Sequence, residues 1–182
     1  MSNYPIQTIV SAPEGSKPAL EQLQQALGVL PNIAAAIANS PKLVNSLVGV
    51  FQQVHSGGLT EPENQIVLLT DAVTNSSTYA VAFHTALALQ QGVSSEEIEA
   101  IRERRLPRDR RFAALSTLAR TLIEKRGHLN DQELESFLAA GFTREQVLEV
   151  IAIVAASTIT NYAGTIANPP LEDRFRQYAW QG

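Results

Sequence analysis

Gly58-Leu59-Thr60-Glu61-Pro62-Glu63-Asn64-Gln65 is the stretch whose reading decides the fold. A glycine after a helix predicts a left-handed stop. Leu59 then folds back on the helix just ended. Thr60 caps the next helix, and Glu63, three residues on, completes a capping box. The same grammar recurs in Gly92-Val93-Ser94 with Glu97, and in Gly141-Phe142-Thr143 with Gln146. Three such joints predict helix–turn–helix connections.

Working outward, the punctuation divides the rest of the chain. Residues 1–16, with Pro5, Pro13 and Gly15, read as an extended arm. Pro18 to Leu27 and Asn32 to Ala38 read as short helices on either side of Gly28 and Pro31. Ser40-Pro41 opens a longer helix, with serine at N-cap and proline at the first helical position. Further helices are expected at about 62–74, 77–91, 95–104, 108–125, 131–140 and 144–163. Nothing alternates with a period of two for long enough to make a strand. The reading is an all-α fold of stacked helical hairpins, with 17–182 one domain. Within it, 17–57 holds the N-terminal helices, 58–104 a core hairpin, and 105–182 the C-terminal helices and tail.

Composition limits the chemistry. The 182 residues are 45% hydrophobic and only 18% charged, against a usual charged share of roughly a quarter. Low charge with many aliphatic residues points to extra buried surface, such as a subunit interface. A net charge of −4 marks neither nucleic acid nor an anionic membrane as a partner. With no cysteine, disulfides, zinc–thiolate sites, iron–sulfur clusters and thiol nucleophiles are excluded. No signal peptide is visible, and no uninterrupted apolar run reaches about 18 residues, so a cytoplasmic protein without a membrane span is expected. No cofactor motif, metal-ligand spacing or phosphate loop is seen.

The densest polar group lies on the helix expected at 77–91, where Ser77, Ala80 and His84 fall at i, i+3 and i+7. Tyr79 lies among them. A histidine on an apolar helix needs a hydrogen-bond partner, and a tight hairpin would bring Gln65 opposite Ser77 and His84. His55 and His128 sit at helix ends, where capping of carbonyls is the ordinary role. The run Arg102, Arg104, Arg105, Arg108, Arg110 and Arg111 reads first as a solvated turn with ion pairs and second as an anion site. Asn75-Ser76-Ser77 matches a glycosylation sequon, without a secretion signal beside it.

Leu59 to Gln65, Asn75 to His84, and Gly92 to Ile98 together resemble the core of the AhpD-like (alkylhydroperoxidase D-like) and carboxymuconolactone decarboxylase superfamily. Gly28 to Asn32, Ser40-Pro41, Asn161 to Glu172 and Tyr178 to Trp180 resemble its peroxidase-related branch. The resemblance implies an all-α fold of helical hairpins and a trimer or hexamer. Its redox-active members carry a Glu, a Cys-x-x-Cys and a His at fixed spacing on two helices. Those positions are here Gln65, Ser77 and Ala80, and His84; a later family histidine falls at Thr165. A serine neither ionises like a thiol nor cycles through a disulfide, so thiol peroxidase chemistry is not expected.

Three readings follow. His84 is an acid–base group acting on a small organic acid, oriented by Gln65, Ser77 and Tyr79, as a decarboxylase-like lyase. Alternatively, the former site has become core and the protein is non-catalytic. The third reading is an oligomeric module for a small anionic ligand.

Overall fold

A computed structural model describes residues 2–182. Nine α-helices and two 3₁₀ turns make up its regular structure, with no strand among the described residues. The helices are α1 (Lys17–Leu27), α2 (Asn32–Ile37), α3 (Pro41–Val54), α4 (Glu61–Thr74), α5 (Thr78–Gln90), α6 (Ser95–Arg102), α7 (Arg110–Glu124), α8 (Asp131–Ala139) and α9 (Arg144–Ala167). The 3₁₀ turns are Glu14–Ser16 and Asp173–Tyr178.

The cap grammar holds in most of its parts. Thr60, Asn130 and Thr143 each form a complete box with Glu63, Glu133 and Gln146. Ser94 accepts from Glu97 N–H, but the Glu97 carboxylate does not return to Ser94. It accepts the backbone N–H groups of Arg108 and Asp109 at 2.7 and 3.0 Å, which ties α6 to the start of α7. Gly92 and Gly141 adopt positive φ as read. Gly58 does not. Its role is close approach: its N–H donates to Glu149 Oε1 at 2.7 Å, and a Cβ there would lie 3.2 Å from that carboxylate.

α4 is the central post. Every residue from Glu63 to Val73 is buried, and the helix packs on α5, α6, α7 and α9. Both α4 and α5 are enclosed on most sides, so neither shows a strong apolar stripe. The main core runs through Ile66, Leu69, Val81, Ile98, Leu115 and Ile153. A second cluster joins the arm, α1, α2 and α3 through Leu20, Ile33, Val44 and Leu47, and Tyr79 of α5 enters it.

α9 extends to Ala167, beyond the expected end near 163. By length and composition it is apolar enough to cross a membrane, although polar residues interrupt its apolar run. In this fold Val147, Val150, Ile153 and Ala156 pack into the main core. Leu148, Ile151, Tyr162 and Ile166 on the same helix are exposed. The tail beyond Asn168 turns back over α5. Glu172 Oε1 accepts from the Asn32 N–H, and Arg102 Nη1 and Nη2 donate to the carbonyls of Tyr178 and Ala179. Trp180 Nε1 completes this end by donating to the Arg102 carbonyl at 3.1 Å.

Candidate functional site

The α4–α5 hairpin brings Gln65 to His84 and leaves Ser77 elsewhere. His84 Nδ1–H donates to Gln65 Oε1 at 3.1 Å. His84 is 5% exposed and Gln65 3%. Burial above all, then the nearby His55, lowers the His84 pKa to about 3, so the ring is neutral across the physiological range. Phe83 meets its ring edge-on. His55 does not cap a carbonyl; its Nδ1 lies 2.9 Å from Glu61 Oε1. His128 is exposed.

Ser77 is the N-cap of α5, two turns before the His84–Gln65 pair, which sits at the middle of that helix. The expectation that Gln65 faces both Ser77 and His84 therefore holds only for His84. Seven residues of helix separate serine and histidine by roughly 10 Å of axial rise, and a side chain cannot span that. Ser77 lines a cleft of about 1000 Å³ with Ser76, Thr78, Tyr79, Gly164, Thr165 and Trp180. The tail segment Asn168 to Leu171 and the arm residues Ser2 and Ile6 form its other walls. No lining side chain carries a charge. Ala80, the second thiol position, is buried and packs in the main core. Thr165 lies on the cleft wall, its hydroxyl donating to the Asn161 carbonyl at 2.9 Å.

Two carboxylates escaped the sequence reading. Asp71 on α4 is fully buried, where Asn161 and Ser157 of α9 and Asn75 hydrogen-bond to it. Burial pushes its carboxyl up to about 7, against the lowering by those donors. An acid inside the apolar run Ile66-Val67-Leu68-Leu69-Thr70-Asp71-Ala72-Val73 was the available signal. Glu172 in the tail accepts the Tyr79 hydroxyl at 2.9 Å. Burial, then the Glu172 charge, holds the Tyr79 phenol well above the ordinary tyrosine range. Tyr79 thus fastens the tail, and its oxygen also accepts the Ile33 N–H.

The arginine run resolves mainly into structure. Arg111 pairs with buried Glu63, Arg105 with Glu103, and Arg102 braces the tail. Arg104 donates to Ser76 Oγ at 3.1 Å, and its guanidinium lies 5.6 Å from the Trp180 ring centroid. Asn75, the sequon residue, donates its side-chain amide to Asp71. No cluster of three or more His, Cys, Asp or Glu suited to a metal occurs among the described residues.

Stacked helical hairpins, a histidine–glutamine pair and a serine-lined cleft define a thiol-free chain with the AhpD-like fold. The sequence profile of the carboxymuconolactone decarboxylase family matches residues 41–120, and the chain resembles the AhpD-like and carboxymuconolactone decarboxylase superfamily with its Cys-x-x-Cys lost. No curated protein matches the chain. Among solved structures it is similar to an uncharacterized peroxidase-related protein with an alkylhydroperoxidase AhpD core from Ralstonia eutropha JMP134. The TM-score is 0.82 at 20% identity, over 96% of this chain and 94% of that one. A variant of the debrominase Bmp8 in complex with 2,3,4-tribromopyrrole gives 0.81 at 17% identity, over 98% and 97%. A second uncharacterized peroxidase-related protein, from Silicibacter sp. TM1040, gives 0.79 at 16% identity, over 95% and 92%. At these identities the likeness is one of fold.

Proposed function

We propose that this chain is a redox-inactive, non-catalytic member of its superfamily that binds a small organic molecule in the cleft beside Ser77. The observation that carries this is the division of the family positions. Ser77 opens on a large cleft, while His84 is neutral, enclosed and engaged with Gln65. An acid–base histidine must reach the proton it moves and titrate near the working pH. His84 does neither. A volume of about 1000 Å³ suits a small-molecule site. The test combines two assays on the purified protein. Hydroperoxide consumption is expected to equal that of a metal-free His84→Ala control. Small aromatic probes, 2,3,4-tribromopyrrole among them, are expected to perturb Trp180, the single tryptophan of the chain. Peroxide turnover above that control sinks the redox-inactive reading, and a silent Trp180 sinks the cleft reading.

We also infer self-association through α9. Leu148, Ile151, Tyr162 and Ile166 are 44–67% exposed on one helix. No charged side chain occurs from Val150 to Leu171, so a second copy meets this surface without like-charge repulsion. Sedimentation of the wild type is expected to show a trimer or hexamer, and Ile151→Glu with Tyr162→Glu a smaller species. A monomeric wild type rejects this inference.

A further inference from the structure

We propose that the cleft takes a small aromatic monocarboxylate, its carboxylate seated on the first turn of α5 and its ring beside Trp180. This deepens the cleft-binding reading and rests on it.

The first turn of a helix leaves backbone N–H groups without intrahelical partners, and these attract anions. In α4, α6, α7, α8 and α9 a side chain from the N-cap position accepts from this turn. In α5, intrahelical bonding starts with Val81 N–H to the Ser77 carbonyl. The N–H groups of Thr78, Tyr79 and Ala80 have no acceptor among the described residues, and Ser77 gives no side-chain cap. A thirteen-residue helix thus points an uncapped positive end at this cleft.

Ser77 supplies the independent observation. It is 4% exposed, its hydroxyl has no hydrogen-bond partner among the described residues, and it lines the cleft. A Cβ built on Gly164 would come within 3.9 Å of its Oγ, so the hydroxyl lies near the bare glycine of α9, which also lines the cleft. A hydroxyl without a protein partner, on a side chain more than nine-tenths buried that still reaches the cleft, beside three free N–H groups, matches an oxyanion acceptor.

The charge environment agrees. The cleft lining holds no acid. Glu172 is engaged by the Tyr79 hydroxyl and the Asn32 N–H. Asp71 lies behind Asn75, bonded to Asn161. Arg104 stands at the rim, in contact with Ser76 and near Trp180, and supplies a cation there. Pro169, Leu171, Ile6 and Trp180 give the apolar surface for a ring.

Sodium benzoate is the probe, and benzamide is its neutral counterpart of the same shape. Binding is read from Trp180 fluorescence and from the amide resonances of Thr78, Tyr79 and Ala80. Benzoate is expected to bind at least about tenfold tighter than benzamide and to shift the three amides. Ser77→Asp places a carboxylate on the same N–H groups. It should raise the melting temperature, weaken benzoate at least about tenfold, and leave benzamide within about twofold. Arg104→Gln should weaken benzoate about threefold. Equal affinity for the two probes, or benzoate binding untouched by Ser77→Asp, overturns the anion seat and leaves the cleft reading standing. If neither probe perturbs Trp180 or the amides, both fail.

Discussion

The start and the middle of α5 carry two positions that match one family motif and have opposite physical characters. At the N-terminal end Ser77 is uncapped, without a protein partner, and faces a cleft. Further along, His84 is enclosed, neutral and tied to Gln65. The start of the helix sits where the tail crosses and leaves space; the middle sits where α4 packs directly on α5. The difference teaches that a motif can be taken apart by position. A buried polar pair with its bond satisfied can persist as structure, while an uncapped helix end stays available to a ligand.

The largest expected effect is a labelling contrast. The native chain has no cysteine, so single introduced thiols report without background. Ser77→Cys should react with a small maleimide at least about a hundredfold faster than His84→Cys, which must wait for local opening. Comparable rates break the comparison.

Next is a pH test that sets His84 against a second buried group, Asp71. His84 falls from 6.5 to about 3 on folding, so its contribution is full above pH 6.5 and is lost as pH falls toward 3. Asp71 rises from 3.8 to about 7, so its contribution is full below pH 3.8 and is lost as pH rises through 7. Between about pH 4 and 6.5 the two slopes oppose, each of up to about 1.4 kcal/mol per pH unit. Urea denaturation across this window should give nearly level stability for the wild type. Asp71→Asn should leave stability rising with pH, and His84→Leu should leave it falling. Parallel slopes in all three proteins would reject the assigned ionisation states.

Asn161→Ala removes a donor from buried Asp71 and is expected to cost about 2–3 kcal/mol in the same assay. It leaves the benzoate site in place, because Asn161 does not line the cleft. The smallest effect is expected from Tyr79→Phe, about 1 kcal/mol, through loss of the hydroxyl bond to Glu172. Limited proteolysis should then cut the tail beyond Asn168 sooner than in the wild type. An unchanged cleavage pattern would remove Tyr79 as the fastening of that cleft wall.

The sequence by itself determined the helices and their joints. Ser40, Thr60, Ser94, Asn130 and Thr143 lie within a few residues of the groups they cap, so local chemistry announces them. It also excluded thiol chemistry and paired Gln65 with His84, because an antiparallel hairpin fixes which turns face each other. Seven residues of helix already set Ser77 roughly 10 Å from His84; only the tertiary structure decided that Ser77 meets a cleft and His84 meets α4, since a shared helix face says nothing about which turn another segment covers. It alone decided that Asp71 meets Asn161, 90 residues away, and that Glu172, 93 residues from Tyr79, fastens the tail. The cleft belongs to that second class as well. Its walls come from the arm, the α4–α5 turn, the end of α9 and the tail, and no local pattern encodes a space that four distant segments leave between them.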